Sequence, residues 1–162
     1  MIKRELTSIL HHLAEQFRVL AILGPRQSGK TTITQEAFSK HVYVSLEDSD
    51  IRSFAEKDPR AFLQLHNNDY GIILDEIQQS TPEEMLAILT RVSDNCKLVL
   101  CGDINQRDIK GESGLEWFLN FAERHNLPGV GIINFDSVDD IIRGGLCRDV
   151  IKGMIKDGKL KK

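Results

Sequence analysis

Two glycines with four residues between them, then a lysine and a hydroxyl, are the chain's most chemically pointed stretch: GPRQSGKT, residues 24–31. The spacing G-x-x-x-x-G-K-[ST] suits a turn that wraps an anion. Gly24 and Gly29 carry no side chain, so main chain approaches the ligand closely, and the loop's N–H groups and the N-terminus of the helix expected at 31–40 point at it. Lys30 adds a point charge aimed at β- and γ-phosphates. The Thr31 hydroxyl is a hard oxygen suited to Mg²⁺. Gly24, Pro25, Arg26, Gln27, Ser28, Gly29, Lys30, Thr31 and Thr32 are therefore the expected nucleotide-binding set, with Arg26 facing either the nucleotide or a neighbouring molecule.

A second cluster decides between holding a triphosphate and consuming it. GIILDEIQ (71–78) ends an apolar run in two adjacent carboxylates. Side chains alternate along a strand, so the two acids cannot share one task. Asp75 is expected to reach Mg²⁺ with Thr31, and Glu76 to orient and deprotonate the attacking water. LVLCGDINQ (98–106) supplies Gln106, whose carboxamide donates to a γ-phosphate and accepts from water. With Gln78 these residues make the pattern DExQ…GDxxQ. No N-K-x-D is present to read guanine, so adenine, and hence ATP, is expected.

Those residues need elements to hold them. Ile2, Leu6, Ile9, Leu10, Leu13 and Phe17 recur at helical spacing, which predicts a helix over 2–17. Strands are predicted at 18–23, 41–47, 70–76, 97–103 and 129–135, short, apolar and rich in branched side chains. Helices are expected at 31–40, at one or two places within 48–69, and at 115–125. Another starts at Thr81 with Pro82 and Glu84, a cap, a first-turn proline and a glutamate three residues on. A last one follows Ser137-Val138-Asp139-Asp140. Strands alternating with helices predict a three-layer α/β sandwich around a five-stranded parallel sheet. Trp117, Phe118 and Phe121 share helical spacing with Leu115 and read as core. Arg91 reads as a cap on its helix's carboxyl end.

The 162 residues suit one domain, here 1–155 with a lysine-rich tail at 156–162. A net charge of −3 and a pI of about 6.0 exclude a global basic field for polyanions. Cys96, Cys101 and Cys147 are odd in number and form no CxxC, which reads as reduced thiols in a cytoplasmic protein. No apolar run reaches the roughly 18 residues a membrane span needs. Membrane contact is not expected.

The loop and paired acids resemble the P-loop ATPases whose base is a glutamate, and that resemblance implies a strand order of 5-1-4-3-2. Within it the halves differ. FRVLAILGPRQSGKTT, VYVSLED and DPRAF, in residues 1–78, resemble AAA+-like ATPases. ILDEIQQSTPEEMLAILTR, KLVLCGDINQRDIKGESGL and INFDSVDDIIRGGLCRDVI, in residues 71–155, resemble PhoH-like ATPases, themselves similar to superfamily 1 helicases. The PhoH-like resemblance implies a different segment between loop and acids, and the AAA+-like one a further region beyond Lys162. A recombinant of two families joined near 75–78, either designed or natural, is the expectation. From the PhoH-like half, Arg143 is either an arginine that reaches a γ-phosphate, in its own or a neighbouring subunit, or a surface residue paired with Asp139 or Asp140. Three functions follow as expectations. One is Mg-dependent ATP hydrolysis. A second is a nucleotide-binding module or scaffold with little turnover. The third is an ATPase stimulated by RNA or single-stranded DNA, with self-association as a route to motor activity.

Overall fold

The computed structural model describes residues 2–106 and 108–135, with side chains from residue 7 onward. The helix expected after Ser137, Arg143, Cys147 and the basic tail lie outside the described residues.

Helix α1 (Ile2–Gln16) leads into β1 (Val19–Leu23), followed by α2 (Lys30–Ala37) and β2 (Val42–Ser45). Two short helices, α3 (Ser49–Lys57) and α4 (Pro59–Leu65), precede β3 (Gly71–Asp75). A 3₁₀ turn over Ile77–Gln79 connects to α5 (Pro82–Arg91), then β4 (Lys97–Gly102), α6 (Gly114–Arg124) and β5 (Val130–Asn134). All five strands pair in parallel, in the order β2-β3-β4-β1-β5. Read from the other edge, this is the expected 5-1-4-3-2.

Alternation along the strands sorts the core into two layers. Leu20, Ile22, Ile73, Val99 and Cys101 pack with Leu10 of α1 and Ile33 and Ala37 of α2. Ala21, Leu23, Ile72, Leu74, Leu98 and Leu100 face the other way, onto Ala55, Phe62, Met85, Ile88 and Phe118 of α3 to α6. Strands buried on both faces explain why their sequences are continuously apolar. Each fully buried Leu or Ile contributes about 2 kcal/mol, which fixes register firmly. Phe118 lies in this second layer and Trp117 packs at its margin, while Phe121, expected in the core, is only partly buried and stacks on Trp117.

The helix starts are chemically specified. Thr81 Oγ1 accepts from Glu84 N at 3.3 Å, and Glu84 Oε2 accepts from Thr81 N at 2.8 Å, with Pro82 in the first turn. Asp48 and Asp58 cap α3 and α4 through Asp50 N and Ala61 N. At the other end of α5, Arg91 Nη1 donates to Ala87 O at 3.2 Å, in line with a capping role. Because β1 lies between β4 and β5, the turn leaving it emerges in the crevice at the strands' carboxyl ends, where open α/β sheets hold ligands.

Candidate functional site

The turn after β1 is built around its glycines. Gly24 has φ 154°, and a Cβ there would lie 2.6 Å from Phe135 Cβ. Phe135 arrives from the end of β5, its N–H donating to Leu23 O at 2.6 Å. Gly29 has φ 89° and precedes the first turn of α2. Gln27 also takes a left-handed conformation, with φ 61°. Gly24 N donates to Gly102 O at 3.2 Å, which docks the loop on the end of β4. Pro25 O accepts from Ser28 N at 3.2 Å, and Ser28 is wholly buried. Its Oγ has no hydrogen-bond partner, an orphaned donor inside the turn. Arg26, Gln27 and Thr32 are exposed on the outer side.

Lys30 is 7% exposed and its Nζ donates to Gly24 O at 2.7 Å and Pro25 O at 2.8 Å. The amine thus lies folded into its own loop. Burial lowers its pKa from the ordinary value, opposed by the attraction of Asp103, Asp75 and Glu76. Three carboxylates around one amine make this the electrostatic centre of the strand ends.

Asp75, buried at the end of β3, meets the loop directly. Its Oδ2 accepts from Thr31 Oγ1 at 2.7 Å and from Tyr43 Oη at 2.8 Å, and its Oδ1 from Glu76 N at 3.0 Å. Among the described residues no group of three or more His, Cys, Asp or Glu gathers to hold a metal by itself. One carboxylate and one hydroxyl fit Mg²⁺, which keeps waters and takes further oxygens from phosphates. The donor set and the orphaned Ser28 hydroxyl fit a magnesium-bearing phosphate ligand.

Glu76 follows in the left-handed region, φ 57°. For a non-glycine residue that costs about 1 kcal/mol. The kink swings Glu76 away from the strand direction, and its Oε2 accepts from Gln78 Nε2 at 2.5 Å. At the end of β4, Asp103 Oδ2 accepts from Arg26 N of the loop at 3.2 Å, and its Oδ1 from Asn105 N at 2.9 Å. Gln106 is exposed on the turn beyond, its own N–H donating to Asp103 O at 3.2 Å.

Lys30, Thr31, Asp75 and Glu76 therefore come together, with Gln106 farther out on the surface of the same edge. Two participants were not singled out from sequence. Tyr43 reaches Asp75 because Tyr43 pairs with Ile73 and Ser45 with Asp75, which puts Tyr43 on the strand face where Asp75 projects. Glu47 accepts from Arg26 Nη2 at 2.6 Å, both side chains more than half exposed. The clue to Tyr43 was its place two residues before Ser45, but only the β2–β3 register reveals it.

Comparison with known proteins bears on the same residues. A model of the PhoH-like protein family matches residues 66–154, which include Asp75, Glu76 and Gln106 and exclude the loop at 24–31. A PhoH-like protein of Bacillus subtilis is 32% identical over 108 residues, covering 65% of this chain and 33% of that protein. One from Mycobacterium tuberculosis is 35% identical over 86 residues, covering 52% of this chain and 24% of that protein. The chain thus spans about a quarter to a third of the length of these relatives. Unliganded Pif1 from a Bacteroides species superposes with a TM-score of 0.54 at 16% identity, over 96% of this chain and 46% of that one. That likeness establishes a shared P-loop NTPase fold. No helix among the described residues is long and apolar enough to cross a membrane.

Proposed function

The chain belongs to the PhoH-like family, and on that premise we propose that it binds Mg-ATP on residues 24–32 and hydrolyses it. The observation that carries this is the 2.7 Å hydrogen bond from Thr31 to Asp75, which joins a phosphate-shaped loop to an acid of the third strand. Magnesium, when bound, neutralises charge on the β- and γ-phosphoryl oxygens. Thr31 and Asp75 are the residues that would hold it. Lys30 leaves the carbonyls of Gly24 and Pro25 for phosphate oxygens. The main-chain N–H groups of the loop and the start of α2 orient the triphosphate. Glu76 takes the proton from water attacking in line, and Gln106 and Arg143 are candidates to sense or stabilise the γ-phosphoryl group.

The experiment is phosphate release from wild type beside Glu76→Gln, each with its nucleotide affinity. Loss of a general base lowers turnover by about 100-fold or more while binding survives. Equal turnover in both proteins removes Glu76 from the role. Binding without turnover in wild type leaves a nucleotide-binding module. Single-stranded RNA or DNA added to the same assay tests a polynucleotide-stimulated ATPase, whose stimulation falls as salt rises.

A change of resemblance at the strand bearing Asp75 and Glu76 is the ground for a second reading, that of a recombinant of two P-loop families, designed or natural. The acids lie within residues 66–154 and the loop outside them. The two halves then descend from different P-loop families, joined near 75–78. A single natural family matching both halves end to end removes that idea.

A further inference from the structure

Gln78 is 2% exposed, and its carboxamide is used in both directions. Nε2 donates to Glu76 Oε2 at 2.5 Å, and Oε1 accepts from Asp103 N at 3.2 Å. Asp103 in turn accepts from Arg26 N of the loop. The bonds make one path: Glu76, Gln78, the end of β4, the phosphate loop. Gly102 makes room for it. A Cβ on Gly102 would lie 2.8 Å from Gln78 Oε1 and 2.6 Å from Leu115 Cδ2.

We propose that Gln78 is the positioning residue of this site, fixing the Glu76 carboxylate against the end of β4. The inference rests on the reading of Glu76 as the base. Glu76 sits on a left-handed kink at the edge of a 3₁₀ turn, outside any regular helix or strand. One oxygen held by a buried amide limits the swing of the carboxylate and leaves the other oxygen for water. Because the same amide holds Asp103 N, the base and the loop keep one relative placement. A displacement of about 1 Å in a reacting group costs on the order of 100-fold in rate, so a single strong hydrogen bond here has leverage.

Two substitutions separate these roles. Gln78→Met keeps the volume and removes both hydrogen bonds. Gln78→Glu keeps an acceptor for Asp103 N and replaces the donor to Glu76 with a like charge. The expected result is a fall in kcat of about 10- to 100-fold in both, with the dissociation constant for Mg-ATP, read by titration, within about threefold of wild type. Thermal unfolding accompanies each measurement. Full activity in Gln78→Glu shows that only the Asp103 contact matters and overturns the proposal. So do unchanged kcat in Gln78→Met, or affinity lost in step with kcat. Should neither variant fold, Gln78 is a packing residue and the proposal is equally overturned. Wild type that binds Mg-ATP and releases no phosphate overturns the base assignment and this inference with it. Wild-type turnover with unaffected variants overturns the inference alone.

Discussion

Thr31 Oγ1 donates to Asp75 Oδ2 at 2.7 Å, so the first residue past the loop lysine and the last residue of β3 share one proton bridge. Forty-four positions apart in sequence, they meet because β3 and β1 both end at the same edge, separated only by β4. The bridge points the hydroxyl's proton at the carboxylate and leaves its lone pairs for a cation.

Thr31→Ala removes that oxygen and nothing of the loop's main chain. Nucleotide affinity measured in EDTA is expected to stay as in wild type. The gain in affinity on adding Mg²⁺ is expected to shrink by about 10- to 100-fold, the range for losing a metal-site partner. Equal affinity in EDTA and Mg²⁺ for wild type would remove the hydroxyl from metal binding.

Tyr43 gives the same carboxylate oxygen its second donor, at 2.8 Å. Burial first, and then the hydrogen bond to Asp75, push the phenol's pKa up, so it remains a donor through all ordinary working pH. Tyr43→Phe is expected to cost about 1 kcal/mol in chemical denaturation, because the ring is more than a third exposed and solvent competes for the bond. An unchanged midpoint would show that water replaces the hydroxyl fully.

The buried Lys30 amine gives a pH signature. Its folded-state pKa lies below the ordinary 10.5, with burial as the leading cause. Between the lowered value and 10.5 the unfolded chain binds more protons than the folded one, so stability rises with pH across that alkaline interval. At neutral pH the charged amine is a liability to the fold. Denaturation of wild type and Lys30→Met at about pH 7 and about pH 10 is expected to shift in favour of wild type at the higher pH. A difference independent of pH would mean the amine is as comfortable folded as free.

Much of this arrangement was written in local pattern. Period and length gave five strands, and the GPRQSGKT spacing gave the turn, because a glycine with φ 89° before a helix has few alternatives. Boundaries moved where side chains intervened. Residues 41–47 read as one strand, but pairing stops at Ser45, and Asp48 then caps α3. Tyr43 and Gln78 were illegible as partners for a different reason. Tyr43 needs the register of a neighbouring strand, and the bond from Gln78 needs the left-handed kink at Glu76. Neither is encoded by spacing along the chain. The fold of Lys30 onto its own carbonyls belongs to the same class.

Calorimetric titration with Mg-ATP reads whether the loop at 24–31 cradles a triphosphate, as proposed. Wild type is expected to bind at one site, and Lys30→Ala to weaken that binding by about 100-fold or more, as the loss of a charge-assisted contact to phosphate implies. Wild type that takes up no heat of binding, or a Lys30→Ala protein that binds as tightly as wild type, would mean that the loop holds no triphosphate.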